Sequence, residues 1–314
     1  MKQLSRREFV MVAGLSTVAS KGAKVGLAAV PFGVQQQPRR GTAAVSAHDV
    51  VERIRKNVGV EWKADTVDTF KAGDPATVVT GIVTTAMATM NVLSQAVKAG
   101  ANLVVTCEPT FYGRADSPTP PPARGAISPP APDPVFSAKK DFIEKHKLVV
   151  WRFSEHWRLH RPDPFAVGLT DVMGWSKFRA DEDPARISIP AITLEALASA
   201  LKRNLSARGG IRVVGDRTTK VQRIALLPGT TPIQASLKTL PGADAIIAGE
   251  VREWESVEYA RDAVAAGQQK GFIVLGRVLS EEPGMNVCAQ WLRTLVPEVR
   301  TTWVRVGDPY WRPV

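Results

Sequence analysis

The chain has 314 residues, 44% of them hydrophobic, and a formal charge of +11. That length and apolar content can bury a large core, as one large domain or as two lobes. Residues 1–40 hold seven basic side chains and one acid, so the rest carries only about +5, an excess too mild and scattered for the clustered basic face that nucleic acid requires, and none is expected as a partner.

Taken from the start of the chain, Ser5, Arg6, Arg7, Glu8, Phe9 and Val10 spell a paired-arginine export motif, and a modestly apolar stretch runs from Phe9 to Ser20. At about 1.5 Å per residue that stretch is too short to cross a hydrocarbon core of about 30 Å. Lys21 and Lys24 directly after it also suit the twin-arginine route. The expectation is an exported, periplasmic or otherwise extracytoplasmic protein with no membrane span after the signal. Gly26-Leu27-Ala28 and Val45-Ser46-Ala47 both offer small residues to a signal peptidase, and the boundary is placed near Arg40.

Beyond it, apolar runs of strand length alternate with apolar residues at three- and four-residue spacing, which predicts an α/β protein with buried central strands. In chain order the pattern gives a strand over Val78–Val83, a helix over Thr89–Ala99, a strand over Asn102–Thr106, a helix over Val135–His146 and a strand over Leu148–Phe153. A helix over Leu194–Leu205, strands over Arg223–Leu227 and Ala245–Ala248, a helix over Glu253–Ala266, a strand over Phe272–Leu275 and a helix over Val287–Leu295 follow. Ser117–Pro134, with eight prolines, cannot be regular structure. The aromatic tail residues Trp303, Tyr310 and Trp311 read as core packing. Cys107 and Cys288, far apart in sequence and in different settings, read as separate thiols.

A short echo joins the two halves. Gln95 through Gly100 precedes a strand ending at Cys107, and Asp262 through Gly267 precedes one ending at Arg277. Loops at the carboxyl ends of strands carry ligands in open α/β sheets, so chemistry is expected there. Four polar clusters sit at such ends: Thr106 through Tyr112, Ser154 through His160, Gly249 through Glu255, and Gly276 through Glu282. Thiolate, imidazole and carboxylate groups converging from several strands make the donor set of a divalent transition-metal site. Without a Cys-x-x-Cys or His-Glu-x-x-His spacing, the pattern alone favours ordinary polar loop ends over a metal site. A cysteine nucleophile is a further reading, with Cys107 activated by His156 or His160.

The same clusters carry a resemblance. Thr80 through Thr85 and Thr89, Ala101 through Thr106, Glu108-Pro109-Thr110-Phe111-Tyr112, Gly249-Glu250-Val251 and Gly276 through Glu281 resemble, in order, the Nif3-like dinuclear-metal family, also labelled GTP cyclohydrolase I type 2-like. The resemblance implies two α/β lobes with central sheets, about 41–185 with the Pro-rich loop 114–134 and about 186–314. It also implies a metal-site cleft between them and a homo-oligomer, a ring-like hexamer in that family. Where the family has His-His-Pro or His-Glu-Pro this chain has Cys107-Glu108-Pro109. The middle strand offers Glu155, His156 and His160 as ligands, with Arg158 where another is expected. The family's Gly-His-x-x-Ser/Thr-Glu is here Gly276-Arg277-Val278-Leu279-Ser280-Glu281. A thiolate still binds zinc, at about 2.3 Å, whereas a guanidinium cannot bind a cation and would pair with Glu281 or Glu108 instead. The implied cofactor is therefore a divalent transition metal, zinc, iron or manganese, at no more than one per chain, held by some of Cys107, Glu108, Glu155, His156, His160 and Glu281. The implied function is a metal-dependent hydrolase-like enzyme acting on a small or phosphorylated molecule, with Glu108 or Glu281 shuttling the proton. The alternative is a metal-poor binding or scaffold protein.

Overall fold

Three apolar strands in parallel register form the centre of each of two sheets, and every other element covers or extends one of them. The structure, a computed structural model, describes residues 44–114, 116–120, 132–180, 183–311 and 313. The expected export signal, residues 1–40, lies outside the described residues, as does most of the Pro-rich excursion.

The elements in chain order are α1 (Ala47–Asn57), β1 (Phe70–Ala72), β2 (Ile82–Thr85), α2 (Met90–Lys98), β3 (Leu103–Thr106), α3 (Pro134–Lys145), β4 (Val149–Arg152), α4 (Glu155–Leu159) and α5 (Pro164–Val172). The second lobe continues with β5 (Arg186–Thr193), α6 (Leu194–Asn204), β6 (Arg212–Val214), β7 (Lys220–Thr230), α7 (Ile233–Thr239), β8 (Ala245–Glu250), α8 (Glu258–Ala265) and β9 (Gly271–Val274), then α9 (Arg277–Leu295) and β10 (Thr301–Trp303). The first sheet runs β1-β4-β3-β2-β10 and the second β5-β7-β8-β9-β6, with β1, β5 and β6 antiparallel to their neighbours. The expected second lobe, 186–314, thus loses its last strand, because β10 crosses back to pair with β2.

Alternation along the strands assigns the cores. Ile82, Leu103, Val105, Val149 and Trp151 face α1 and the second half of α9, while Val83, Val104 and Val150 face α2 and α3. In the second sheet Ile224, Leu226, Ile247 and Ile273 pack on α5 and α6, and Ala225, Ile246, Phe272 and Val274 pack on the α8 side. The sequence echo corresponds to two matching units, α2–β3 and α8–β9. Ser46 caps α1, its hydroxyl accepting from the Asp49 N–H while Asp49 returns a bond to Ser46. Both cysteines are buried and free. No helix among the described residues is long and apolar enough to cross a membrane.

Three expectations are corrected. Helix α9 begins at Arg277, ten residues before the amphipathic pattern, so the cluster Gly276 through Glu282 is mostly helix. Its first half is buried on several sides and so shows no single apolar stripe, and Pro283 inside it looks like a stop. The cluster Ser154 through His160 likewise forms the single turn α4 rather than a loop. In the tail only Trp303 packs against a core, and Tyr310 and Trp311 are exposed.

Helix α9 touches β2 and β10 of one sheet and β7 and β8 of the other, and it crosses α5 closely. A Cβ on Gly168 of α5 would stand 2.4 Å from the Pro283 carbonyl carbon, and one on Gly284 would stand 2.4 Å from Phe165 Cδ1. Neither backbone can retreat without moving a lobe. Gly168→Ala should therefore destabilise the protein by roughly 1–3 kcal/mol, the usual cost of overpacking, read as a lower urea midpoint at unchanged slope.

Candidate functional site

Four side chains meet where the first lobe faces α9. The β3 strand ends at Thr106 and delivers Cys107 and Glu108 side by side; α9 brings Glu281; and α4 turns Arg158 between them. Arg158 Nη2 lies 2.5 Å from Glu281 Oε1, 2.9 Å from Glu108 Oε1 and 3.4 Å from Cys107 Sγ. Arg277, in the first turn of α9, reaches the same Glu108 oxygen from the other side with Nη2 at 2.9 Å, while its Nη1 donates to Thr230 Oγ1 at 2.6 Å and to Glu250 at 3.3 Å. Two guanidinium groups and two carboxylates thus interleave around a buried thiol. Gly229, with φ +79°, leaves room for them, since a Cβ there would lie 2.5 Å from Glu281 Oε1 and 2.8 Å from Arg158 Nη1.

The structure does not bring Glu155, His156 or His160 to this cluster. His156 Nε2 accepts the Lys63 N–H at 3.0 Å, and its Nδ1 lies 2.7 Å from Asp68 Oδ2. A backbone N–H can only donate, so Nε2 is unprotonated and Nδ1 carries the hydrogen. Both ring nitrogens are occupied, and the ring is stacked on Trp62 at 3.7 Å. His160 Nδ1 donates to the Val58 carbonyl at 2.7 Å. Glu155 accepts from Thr66 Oγ1 at 2.7 Å and Val67 N–H at 3.4 Å and forms no ion pair with an arginine among the described residues. With both histidines engaged elsewhere, neither is the base that a Cys107 nucleophile would use, and the thiol instead faces Glu108 Oε1 and Glu281 Oε2, each at 3.9 Å.

Two residues that sequence reasoning did not assign position this arrangement. Asp68 accepts from the Ser154, Glu155 and His156 N–H groups at 2.7, 3.0 and 2.9 Å, and so caps α4 from 86 residues away. No local pattern could have signalled it. Ser280, buried, accepts the Gly229 N–H at 3.0 Å and donates to the Arg277 carbonyl at 2.8 Å, holding the end of β7 against α9.

Burial and charge shape the ionisation. Burial pushes the Cys107 thiol well above its ordinary value, Glu281 adding to the rise and Arg158 opposing it. Burial raises the Glu281 carboxyl to about 7, with Arg158 opposing and Glu108 reinforcing. For Arg158, burial opposes the charge, but Cys107, Glu281 and Glu108 outweigh it and hold the guanidinium protonated.

Residues 185–306 match the family model of Duf34/NIF3 (NGG1p interacting factor 3), a span that includes Arg277 and Glu281 but not Cys107, Glu108 or Arg158. Among solved structures, the chain is similar to the Staphylococcus aureus hypothetical protein SA1388 at a TM-score of 0.64 and 17% identity, covering 86% of this chain and 99% of that one. It is similar to a Bacillus cereus protein related to NIF3 at a TM-score of 0.63 and 13% identity, over 87% and 100% of the two chains. A third likeness is to TTHA1606 from Thermus thermophilus, with a TM-score of 0.59 and 12% identity over 85% and 100%. No curated protein matches by sequence. The fold is NIF3-like. At these identities the structural likeness speaks for fold alone.

In this NIF3-like fold, Cys107, Glu108 and Glu281 each offer one donor atom within 4.8 Å of the others, a buried group that could hold a metal ion. As the side chains stand they do not fit one, because Arg158 Nη2 already occupies the space between all three donors. A divalent ion would have to displace a guanidinium that two carboxylates retain.

Two measurements check the site. Glu281 keeps in the native state a proton that the unfolded chain releases from its ordinary value of 4.5 upwards. Its contribution to stability therefore falls as pH rises from about 4.5 to about 7, by about 3 kcal/mol. Urea unfolding of wild type should show this loss in excess of that in Glu281→Gln, and parallel profiles would return the carboxyl to its ordinary value. Iodoacetamide near neutral pH should label neither Cys107 nor Cys288 at an appreciable rate until the protein unfolds; rapid labelling of Cys107, located by mass spectrometry, would mark an activated thiol.

Proposed function

We propose that this chain is a NIF3-like binding protein in which guanidinium groups supply the positive charge that metal ions supply in the family it resembles. The observation that carries this reading is the position of Arg158 Nη2, 2.5 Å from Glu281, 2.9 Å from Glu108 and 3.4 Å from Cys107. Arg277 supports it, standing where the family pattern has a histidine and pairing with Glu108. A guanidinium holds its charge at every accessible pH and offers only donors, so it can bind and orient an anion. The cleft beside the pair is the place for a small molecule. On the same reading the protein is exported, on the strength of Arg6 and Arg7, and assembles with copies of itself, on the strength of the resemblance.

A second reading rests on the 4.8 Å spacing of Cys107, Glu108 and Glu281. In it Arg158 swings out and a single divalent ion makes the protein a metal-dependent hydrolase. Elemental analysis of the purified full-length protein separates the two. Well under one equivalent of zinc, iron or manganese is expected for wild type, and a measurable gain for the Arg158→His, Arg277→His double variant. One or more tightly held equivalents in wild type would overturn the binding-protein reading in favour of the metal enzyme.

A further inference from the structure

The cleft that opens onto the arginine pair has a volume of about 690 Å³, a size that suits a drug-sized molecule. Arg158 and Arg277 form part of its wall, and two further arginines, Arg114 and Arg152, line it. Those two differ from the first pair in their partners. Arg152 is only 7% exposed, yet it forms no ion pair among the described residues. Its Nε points to the Cys107 carbonyl at 3.4 Å and its Nη1 to the Arg114 carbonyl at 3.5 Å, both at the long end for hydrogen bonds. Arg114 forms no ion pair among the described residues either.

A buried charge without a counter-ion is costly, and proteins ordinarily answer it with a carboxylate or a ligand. The acids near the cleft do not answer it. Glu155 is held by Thr66 and Val67, and Glu108 is shared between Arg158 and Arg277. Asp116 accepts from the Phe111 N–H at 2.7 Å, interacts electrostatically with Lys139 and Lys71, and forms no ion pair among the described residues. The rest of the wall is Val67, Met87, Pro109 and Tyr112, with Ser154 as the remaining polar residue. The cleft therefore pairs unmatched guanidinium groups with an apolar face.

We propose that it binds a small organic oxyanion, a phosphate monoester or a carboxylate, whose charge is received by Arg152 and Arg114 and whose apolar body lies against Val67, Met87 and Tyr112. The planar fork of a guanidinium matches both oxyanions in bidentate geometry, and a second arginine adds to the hold. This rests on the reading that guanidinium groups rather than metal ions provide the positive charge of the site.

Calorimetric titration of the full-length protein with phenyl phosphate, benzoate, inorganic phosphate and phenol, each with and without EDTA, tests it. Phenyl phosphate or benzoate should bind at least about tenfold more tightly than inorganic phosphate, and the tighter of the two identifies the oxyanion. Phenol should not bind, and EDTA should change nothing. Arg152→Gln should weaken the preferred ligand by about tenfold or more. Arg114→Gln, at an exposed position that leaves the core intact, should weaken it by roughly threefold to tenfold, which keeps the test open if the Arg152 variant misfolds. Failure of every anion to bind, equal binding of inorganic phosphate, or unchanged affinity in Arg114→Gln would overturn the proposal, and with metal content still below one equivalent the binding-protein reading would stand. Loss of binding in EDTA would instead overturn the reading beneath it.

Discussion

The contact of one nitrogen, Arg158 Nη2, with Glu281, Glu108 and Cys107 is the interaction on which the rest of the centre depends. Two carboxylates brought together away from water, here with a thiol inside the same 4.8 Å group, repel unless a cation stands between them. Arg158 is that cation, and its three partners come from different parts of the chain: Cys107 and Glu108 from the end of β3, and Glu281 from α9. Removing one member of a buried ion pair leaves the other charge without compensation, typically at about 3–5 kcal/mol. The α4 turn, the Asp68 cap beneath it and the glycine at 229 all serve to keep that nitrogen where it is.

A tethered guanidinium and a bound metal ion solve the same electrostatic problem with different consequences. A divalent ion is exchangeable, competes with protons for its ligands and lowers the pKa of bound water. An arginine is part of the chain from synthesis, stays charged, and presents N–H donors in a fixed plane. Arg277 repeats the solution beside Arg158, so Glu108 receives two guanidinium groups on one oxygen. The raised Glu281 carboxyl shows the limit of that solution: burial, with the Glu108 charge reinforcing it, raises the group although both guanidinium groups oppose the rise.

The central strands were legible because residues buried on both faces read as unbroken apolar runs, as in Leu103–Thr106 and Ala245–Ala248. The edge strands β1, β6 and β10 were not, since three residues with one wet face carry too little pattern. At the site, Cys107, Glu108 and Glu281 could be marked from strand ends and from the resemblance, and the pairing of Arg277 with carboxylates followed from its charge. His156 and His160 were misleading because a histidine after a strand looks the same in sequence whether it faces a cleft or caps a loop. What separates the cases is the Lys63 N–H and Asp68 on one ring and the Val58 carbonyl on the other, partners about 90 to 100 residues away. Arg158 was seen only as a missing ligand. Its role as the cation between three donors depends on α4 being a turn of helix, which five residues do not announce.

The first half of α9 ties the two lobes together. Ser280, Glu281 and Glu282 are consecutive and all buried, an arrangement that would break a helix core unless each found its own partner. Each does, and each partner belongs to a different element. Ser280 holds Gly229 at the end of β7, Glu281 holds Arg158 on α4, and Glu282 accepts from Arg305 at 2.5 Å and the Gly307 N–H at 3.1 Å in the segment after β10. Arg305 in turn donates to the Leu205 carbonyl at 2.9 Å, at the end of α6, so the returning chain is pinned to the second lobe as well. Four bonds in three directions from one turn of helix fix both lobes against α9. Parting the lobes at α9 would break these bonds together and strand buried charges, so the two sheets are held in one arrangement around the Arg158 centre.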